Sequence, residues 1–330
     1  MVGRIVRLVL AAVGLYFVWP SLVEVFGSYG ELTAIRPWWF VVMAALEFAS
    51  FVCIWLLIGI STSSSHWLLI ATSQLVGNSV ASVVPGGPAA GGPMQYSYMV
   101  RGGEEPARTA SGLLAASLLT TTALFGLAAL CVPLSFRLVD IDVRLERASW
   151  YGAGVFVLLL LLGLAAFTTD GLLRTIGRGA QWVLNRVRRR RPRSTDLPER
   201  VLAERDRVRH ALGSRWPWAV VAVVSKWAFD YFALVAAIAA TGARVESVPL
   251  LLAYVAASVL GMIPITPGGL GFVEAGLAVT LVWAGLSAGD ATLATLAYRL
   301  VSYWLPLVAG IGAAIVYRRR YAAAPAVVEL

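Results

Sequence analysis

Ten apolar runs follow one another along this chain, and six of them are long enough to cross a lipid bilayer. The six occupy 5–26, 37–60, 110–133, 149–167, 217–241 and 291–317. A chain with 59% hydrophobic and 14% charged residues, and a mean hydropathy of +0.77, lacks the charged surface that a water-soluble domain of 330 residues needs. The run at 5–26 follows basic residues as a secretory signal does. It is longer than a signal's apolar core and lacks a small-residue cleavage site, so it reads as a retained span.

The other four runs form two adjacent pairs, 67–84 with 93–100 and 249–263 with 272–286. As helices, 93–100 reaches only about 12 Å and 272–286 about 22 Å, against a hydrocarbon core of ~30 Å. Each pair is joined by a stretch rich in Gly and Pro, Ser82 to Pro93 in the first and Pro264 to Gly271 in the second, which reads as non-helical throughout. Such backbone is tolerated at membrane depth only against protein or a wet cavity. Each pair therefore reads as a re-entrant hairpin, spanning 67–100 and 248–288.

Charge gives the orientation. Arginine supplies 26 of the 27 basic residues, Lys226 being the only lysine, and thirteen arginines fall between Arg174 and Arg215. With the N-terminus inside and hairpins that return to their own side, twenty arginines lie on the cytoplasmic face and five outside, which satisfies the positive-inside rule. The order then repeats upside down. Residues 1–134 run span, span, hairpin from inside, span; residues 149–317 run span, span, hairpin from outside, span. Both hairpins carry a Pro-Gly-Gly string, Pro85-Gly86-Gly87 and Pro267-Gly268-Gly269. The expected fold is an all-α polytopic membrane protein: six spanning helices plus two re-entrant hairpins in an inverted-topology repeat, with both termini cytoplasmic in the cell membrane. Transporters with that symmetry hold their site at broken helices near the midplane.

A basic insert at 170–216 separates the first two spans of the second half, and a short tail follows at 318–330. Apolar positions at helical spacing suit two amphipathic helices lying on the membrane, and Arg188, Arg189, Arg190 and Arg191 form a surface for anionic lipid. A solvated, topology-setting loop fits the same pattern. Basic charge placed between apolar spans points to lipid, not nucleic acid. Cys53, Cys131, His66 and His210 are scattered without ligand-like spacing, so no metal site and no cofactor are expected.

The binding residues follow from cost. Ionisable groups inside spans face a site or a partner. Glu47 lies mid-span, Lys226 and Asp230 are four apart on one helix face, Glu274 follows the second break, and Arg299 opens the last span beside Tyr298 and Tyr303. The glycines Gly86, Gly87, Gly91, Gly92, Gly268, Gly269 and Gly271, with Pro267, let backbone N–H groups approach a phosphate at the helix starts. Gln95 and Tyr96 are weaker polar additions. Lys226–Asp230 and Glu274–Arg299 also read as mutually neutralising structural pairs.

Gly91-Gly92-Pro-Met-Gln-Tyr-Ser-Tyr-Met-Val-Arg-Gly102, Pro267-Gly-Gly-Leu-Gly-Phe-Val-Glu274 and Tyr298-Arg-Leu-Val-Ser-Tyr-Trp-Leu-Pro306 resemble the lysylphosphatidylglycerol synthase transmembrane (flippase-like) family. That family includes the membrane half of the multiple peptide resistance factor, which moves aminoacylated phosphatidylglycerol between leaflets. The resemblance implies that Glu274 and Arg299 belong to a polar core. Gln95-Tyr96 departs from the basic residue that relatives often carry there, and with no aminoacyltransferase domain after Arg320 lysyl transfer is not expected. The function expected is that of a non-enzymatic, flippase-like carrier of a polar or anionic lipid, either a phospholipid or a polyprenyl-phosphate-linked glycan. Two rivals stand beside it. An intramembrane lipid-modifying transferase would need carboxylates for Mg²⁺, whereas the close acidic pairs Glu104-Glu105 and Asp140/Asp142 lie in loops. The other is a scaffold that docks a cytoplasmic lipid-synthesis enzyme through the insert. Oligomeric state is not legible.

Overall fold

A computed structural model describes residues 35–84, 87–138, 143–171, 213–263 and 266–321, with isolated positions between 174 and 206. The first apolar run, Gly86, Arg188–Arg191 and the C-terminal nine residues lie outside the described residues. The described residues are helical, without strands: α1 (Trp38–Thr62), α2 (Trp67–Val83), α3 (Pro88–Arg101), α4 (Pro106–Leu138), α5 (Val143–Thr168), α6 (Trp216–Thr241), α7 (Ser247–Leu260), α8 (Phe272–Trp283) and α9 (Ala288–Tyr321). Among them α1, α4, α6 and α9 are long and apolar enough to cross a membrane, whereas α2, α7 and α8 are shorter apolar helices. In α5 the apolar stretch is Trp150–Gly163, and its exposed Val157, Leu158, Leu160 and Leu161 face outward, as a lipid-facing surface does.

Local chemistry sets the helix ends. α1 stops where Ser63 turns left-handed (φ 51°) and returns its N–H to Gly59 and Ile60 carbonyls, and α6 stops at Gly242 (φ 84°). Ser287 caps α9 by accepting the Asp290 N–H at 3.1 Å. Within α9, residues Leu300–Trp304 form a π turn, in which Leu305 N–H reaches the Leu300 carbonyl. Pro306 lies just beyond. It has no N–H to donate and its ring crowds the preceding turn, so the widened turn accommodates it.

The centre of the molecule is the α1–α6 pair, closely packed because α6 offers buried Ala219, Ala222, Ala233, Ala236 and Ala237. Around it the packing of the two halves corresponds. α1 packs on α4 as α6 does on α9, α2 on α3 as α7 on α8, and α2 on α9 as α7 on α4.

One sequence expectation needs correction. The first break is not the whole of Ser82–Pro93. α2 continues to Val83, and α3 starts at Pro88, where the missing N–H costs nothing because first-turn donors are free anyway. Only Val84–Gly87 separates the two, and Pro93 sits inside α3 at the expense of one hydrogen bond. Gly91 is therefore helical. A Cβ there would collide with the Gly77 carbonyl and Ala81, so its role is the close crossing of α3 over α2.

The ends of the first hairpin meet as well. Ser64, before α2, donates to Glu104, after α3, at 2.5 Å; His66 Nδ1 lies 2.9 Å and Arg108 3.6 Å from the same carboxylate. Burial pushes the Glu104 carboxyl up, but hydrogen bonds from Ser64 and His66 and the charges of His66 and Arg108 outweigh it and hold it below its ordinary range.

Candidate functional site

The two helix breaks touch. Tyr303, in the π turn of α9, donates its hydroxyl to the Ser82 carbonyl at the end of α2 (2.9 Å). Gly268, in the tight turn Pro267–Gly269, packs so closely that a Cβ on it would lie 2.6 Å from both that carbonyl and the Tyr303 ring. Gly268 is left-handed (φ 60°), a conformation in which only glycine is free of strain. The return helix of each hairpin then begins at a glycine of positive φ. Gly87 (φ 50°) accepts the Ala90 N–H at 2.9 Å, and Gly271 (φ 76°) accepts the Ala275 N–H at 3.1 Å.

Beside this junction lies a cavity of about 420 Å³. Lys226 and Asp230 of α6 line it and pair at 2.9 Å, the ammonium resting 3.4 Å from the Trp227 ring centroid. Tyr298 of α9 donates to the other Asp230 oxygen at 2.5 Å. Arg299 also lines the cavity; its Nε binds Glu274 at 2.7 Å, one Nη donates to the Gly268 carbonyl at 3.3 Å, and its guanidinium sits 4.6 Å from the Tyr303 ring centroid. Both ion pairs are thus real contacts with little solvent exposure. Glu47 enters from α1, 4% exposed, and lines the cavity with Asp230. Four buried polar atoms around the cavity have no hydrogen-bond partner among the described residues: Glu47 Oε1, Glu274 Oε2, the Tyr254 hydroxyl and the Ser302 hydroxyl.

Of the residues picked from sequence, Glu47, Lys226, Asp230, Gly268 and Arg299 line one cavity, with Glu274 and Tyr303 immediately behind Arg299. The other described ones do not line it. Gly87 and Gly271 are the helix starts just described. Gly269 packs on Val273, and Pro267 opens the turn. Gly92 is exposed with open space beside it; Gln95 and Tyr96 lie half-buried on α3, where the Gln95 Cβ packs against Gly77. Sequence reasoning missed Gln74 and Asn78 of α2, Tyr254 of α7 and Ser302, all cavity-lining. The signal for the first two was present: amides four residues apart in an apolar helix, the same spacing that singled out Lys226 and Asp230. Gln74 is held by the indole N–H of Trp55 at 3.1 Å.

Apolar helices of spanning length around a buried, charged cavity define a multi-pass helical membrane protein with a polar core. Residues 4–310 match the profile of the lysylphosphatidylglycerol synthase TM region, and the chain belongs to that family. It is also similar to UPF0104 membrane proteins of Methanothermobacter thermautotrophicus. One is 33% identical over 94 residues, which is 28% of this chain and 27% of the relative; a second match is 38% identical over 60 residues, 18% of each. The matched segments thus span less than a third of those relatives' length. No solved structure matches significantly.

Proposed function

We propose that this protein is a flippase-like carrier that takes the headgroup of a polar or anionic lipid into the cavity while its hydrocarbon chains stay in the bilayer. The observation that carries the reading is the position of the cavity, beside the contact of two broken helical hairpins and lined by Lys226, Asp230, Glu47 and Arg299. Its volume suits a polar headgroup with some of its water. Ionisable groups are not kept in apolar helices without a site or a partner, and here orphaned polar atoms accompany the paired ones.

The inverted-repeat reading gains support from the matched packing of the two halves and from hairpins that meet tip to tip. Hairpins that enter from opposite faces and touch at their tips need cross no further, and rocking one half against the other would open the cavity to either side. A phosphate that reaches Arg299 must share it with Glu274, so loading and release exchange one partner for another. Four arginines at 188–191 would hold the insert against an anionic leaflet.

The test is movement of fluorescent anionic phospholipid between leaflets of proteoliposomes, measured beside thermal stability in detergent. Wild type should move label. Glu274→Gln/Arg299→Gln should remain folded and lose that movement. A double mutant with wild-type stability and wild-type movement would refute the site. Covalent change of the lipid would instead favour a transferase, and a stably co-purifying enzyme with no lipid movement would favour a scaffold.

A further inference from the structure

Among the described residues at the cavity, carboxylates outnumber cations by one. Lys226 is taken by Asp230 at 2.9 Å and Arg299 by Glu274 at 2.7 Å. Glu47 is the third acid, 4% exposed, with Oε1 unpartnered among the described residues, and it lines the same cavity as Asp230. Ionised carboxylates only accept hydrogen bonds and a buried one without a cation is costly, so Glu47 needs a proton or a cation of its own. Among the described residues that line the cavity, α2 and α4 present the uncharged Gln74, Asn78 and Thr120. α6 presents Lys226 and Asp230, α7 presents the unpartnered Tyr254 hydroxyl, and α9 presents Tyr298, which donates to Asp230, and Arg299, already held by Glu274. No basic group among them is left for Glu47.

We infer that Glu47 is a proton-binding site: it holds a proton that it shares with Asp230 and exchanges it with water that enters the cavity. The step is simple protonation. Hydronium gives a proton to the Glu47 carboxylate and leaves as water, and release returns the proton to water; no other reactant is needed. The protonated carboxyl donates to Asp230, whose remaining partners are Lys226 and Tyr298. A headgroup that disturbs Lys226–Asp230 then changes the proton affinity of Glu47, which would couple cargo to a proton gradient. That coupling rests on the transport reading above, whereas the proton site does not.

Infrared difference spectra of the purified full chain in liposomes, recorded across pH, test the site without any transport. Wild type should show a buried protonated-carboxyl C=O band at neutral pH that deuterium shifts and alkaline pH removes. Glu47→Gln should lose that band, while Glu274→Gln should keep it. Absence of such a band in wild type would overturn the proposal, as would a wild-type band that Glu47→Gln leaves in place. So would a band that sodium ions displace at fixed pH, which would mark a metal-cation site. If Glu47→Gln fails to fold, Glu47→Asp gives the assignment, since it should shift the band. A protonated Glu47 in a protein that moves no lipid would refute the carrier and leave the proton site standing; lipid movement without the band would do the reverse.

Discussion

Alanine at Gly268 measures the contact between the two hairpins. A left-handed alanine costs about 1–2 kcal/mol from its own backbone. At Gly242, which is also left-handed (φ 84°) and where a Cβ would meet open space, that is the whole effect. At Gly268 the new methyl would sit 2.6 Å from the Ser82 carbonyl and 2.6 Å from the Tyr303 ring, whereas ordinary contact begins at 3.4 Å. Tyr303 must move, and its hydroxyl then leaves the Ser82 carbonyl, a last-turn acceptor of α2 with no intrahelical donor. An orphaned buried carbonyl adds about 1–3 kcal/mol, so Gly268→Ala should cost about 2–5 kcal/mol in all. Tyr303→Phe removes the hydrogen bond alone and should cost about 1–3 kcal/mol. Because both changes remove one interaction, Gly268→Ala/Tyr303→Phe should cost less than their sum. The assay is equilibrium unfolding by SDS titration in mixed micelles. If Gly268→Ala costs no more than Gly242→Ala, the hairpin tips do not touch and the cavity beside them loses its floor.

Breaking the buried Arg299–Glu274 pair from one side should cost about 3–5 kcal/mol, and Glu274→Gln/Arg299→Gln should cost less than the worse single, in the same unfolding assay. Glu104 gives a pH dependence: its carboxyl is held below the ordinary range, so its contribution is present above the unfolded-state value and is lost as pH falls through the lower folded value. Thermal stability should therefore decline as pH drops below about 4.3, and Glu104→Gln should be less stable at neutral pH and lose that part of the acid decline. Gly91→Val should drive α3 off α2 and destabilise the protein, in the same unfolding assay, by more than Gly92→Val, where the new side chain meets open space. Replacing Arg188–Arg191 with Gln should weaken binding of the 170–216 peptide to anionic vesicles, each arginine contributing about 1 kcal/mol near the surface; equal binding to neutral vesicles would reduce the segment to a solvated loop.

Sequence alone determined that this chain is helical and built for a membrane, because apolar length and sparse charge leave a bilayer segment no other way to satisfy its backbone. It also singled out Glu47, Lys226, Asp230, Glu274 and Arg299, since a charge in an apolar helix is conspicuous whatever surrounds it. The i,i+4 spacing of Lys226 and Asp230 also offered their pairing, because one helix turn brings them together without help from the fold. The tertiary structure decided what depends on packing between helices. It distinguished Gly91, a crossing point of α2 and α3, from Gly268, a left-handed turn against Ser82 and Tyr303, although both belong to similar glycine strings. It ended the first break at Pro88, since proline is welcome in a first helical turn, and the string of glycines and prolines did not reveal where that turn began. It brought Gln74, Asn78 and Tyr254 to the cavity from helices far apart in sequence, and it set Glu47 on the same cavity as Asp230 while Lys226 and Arg299 are paired with other carboxylates. Which partner a buried charge has is a property of three-dimensional neighbours, and a single sequence carries the cost of that charge but not the address of what offsets it.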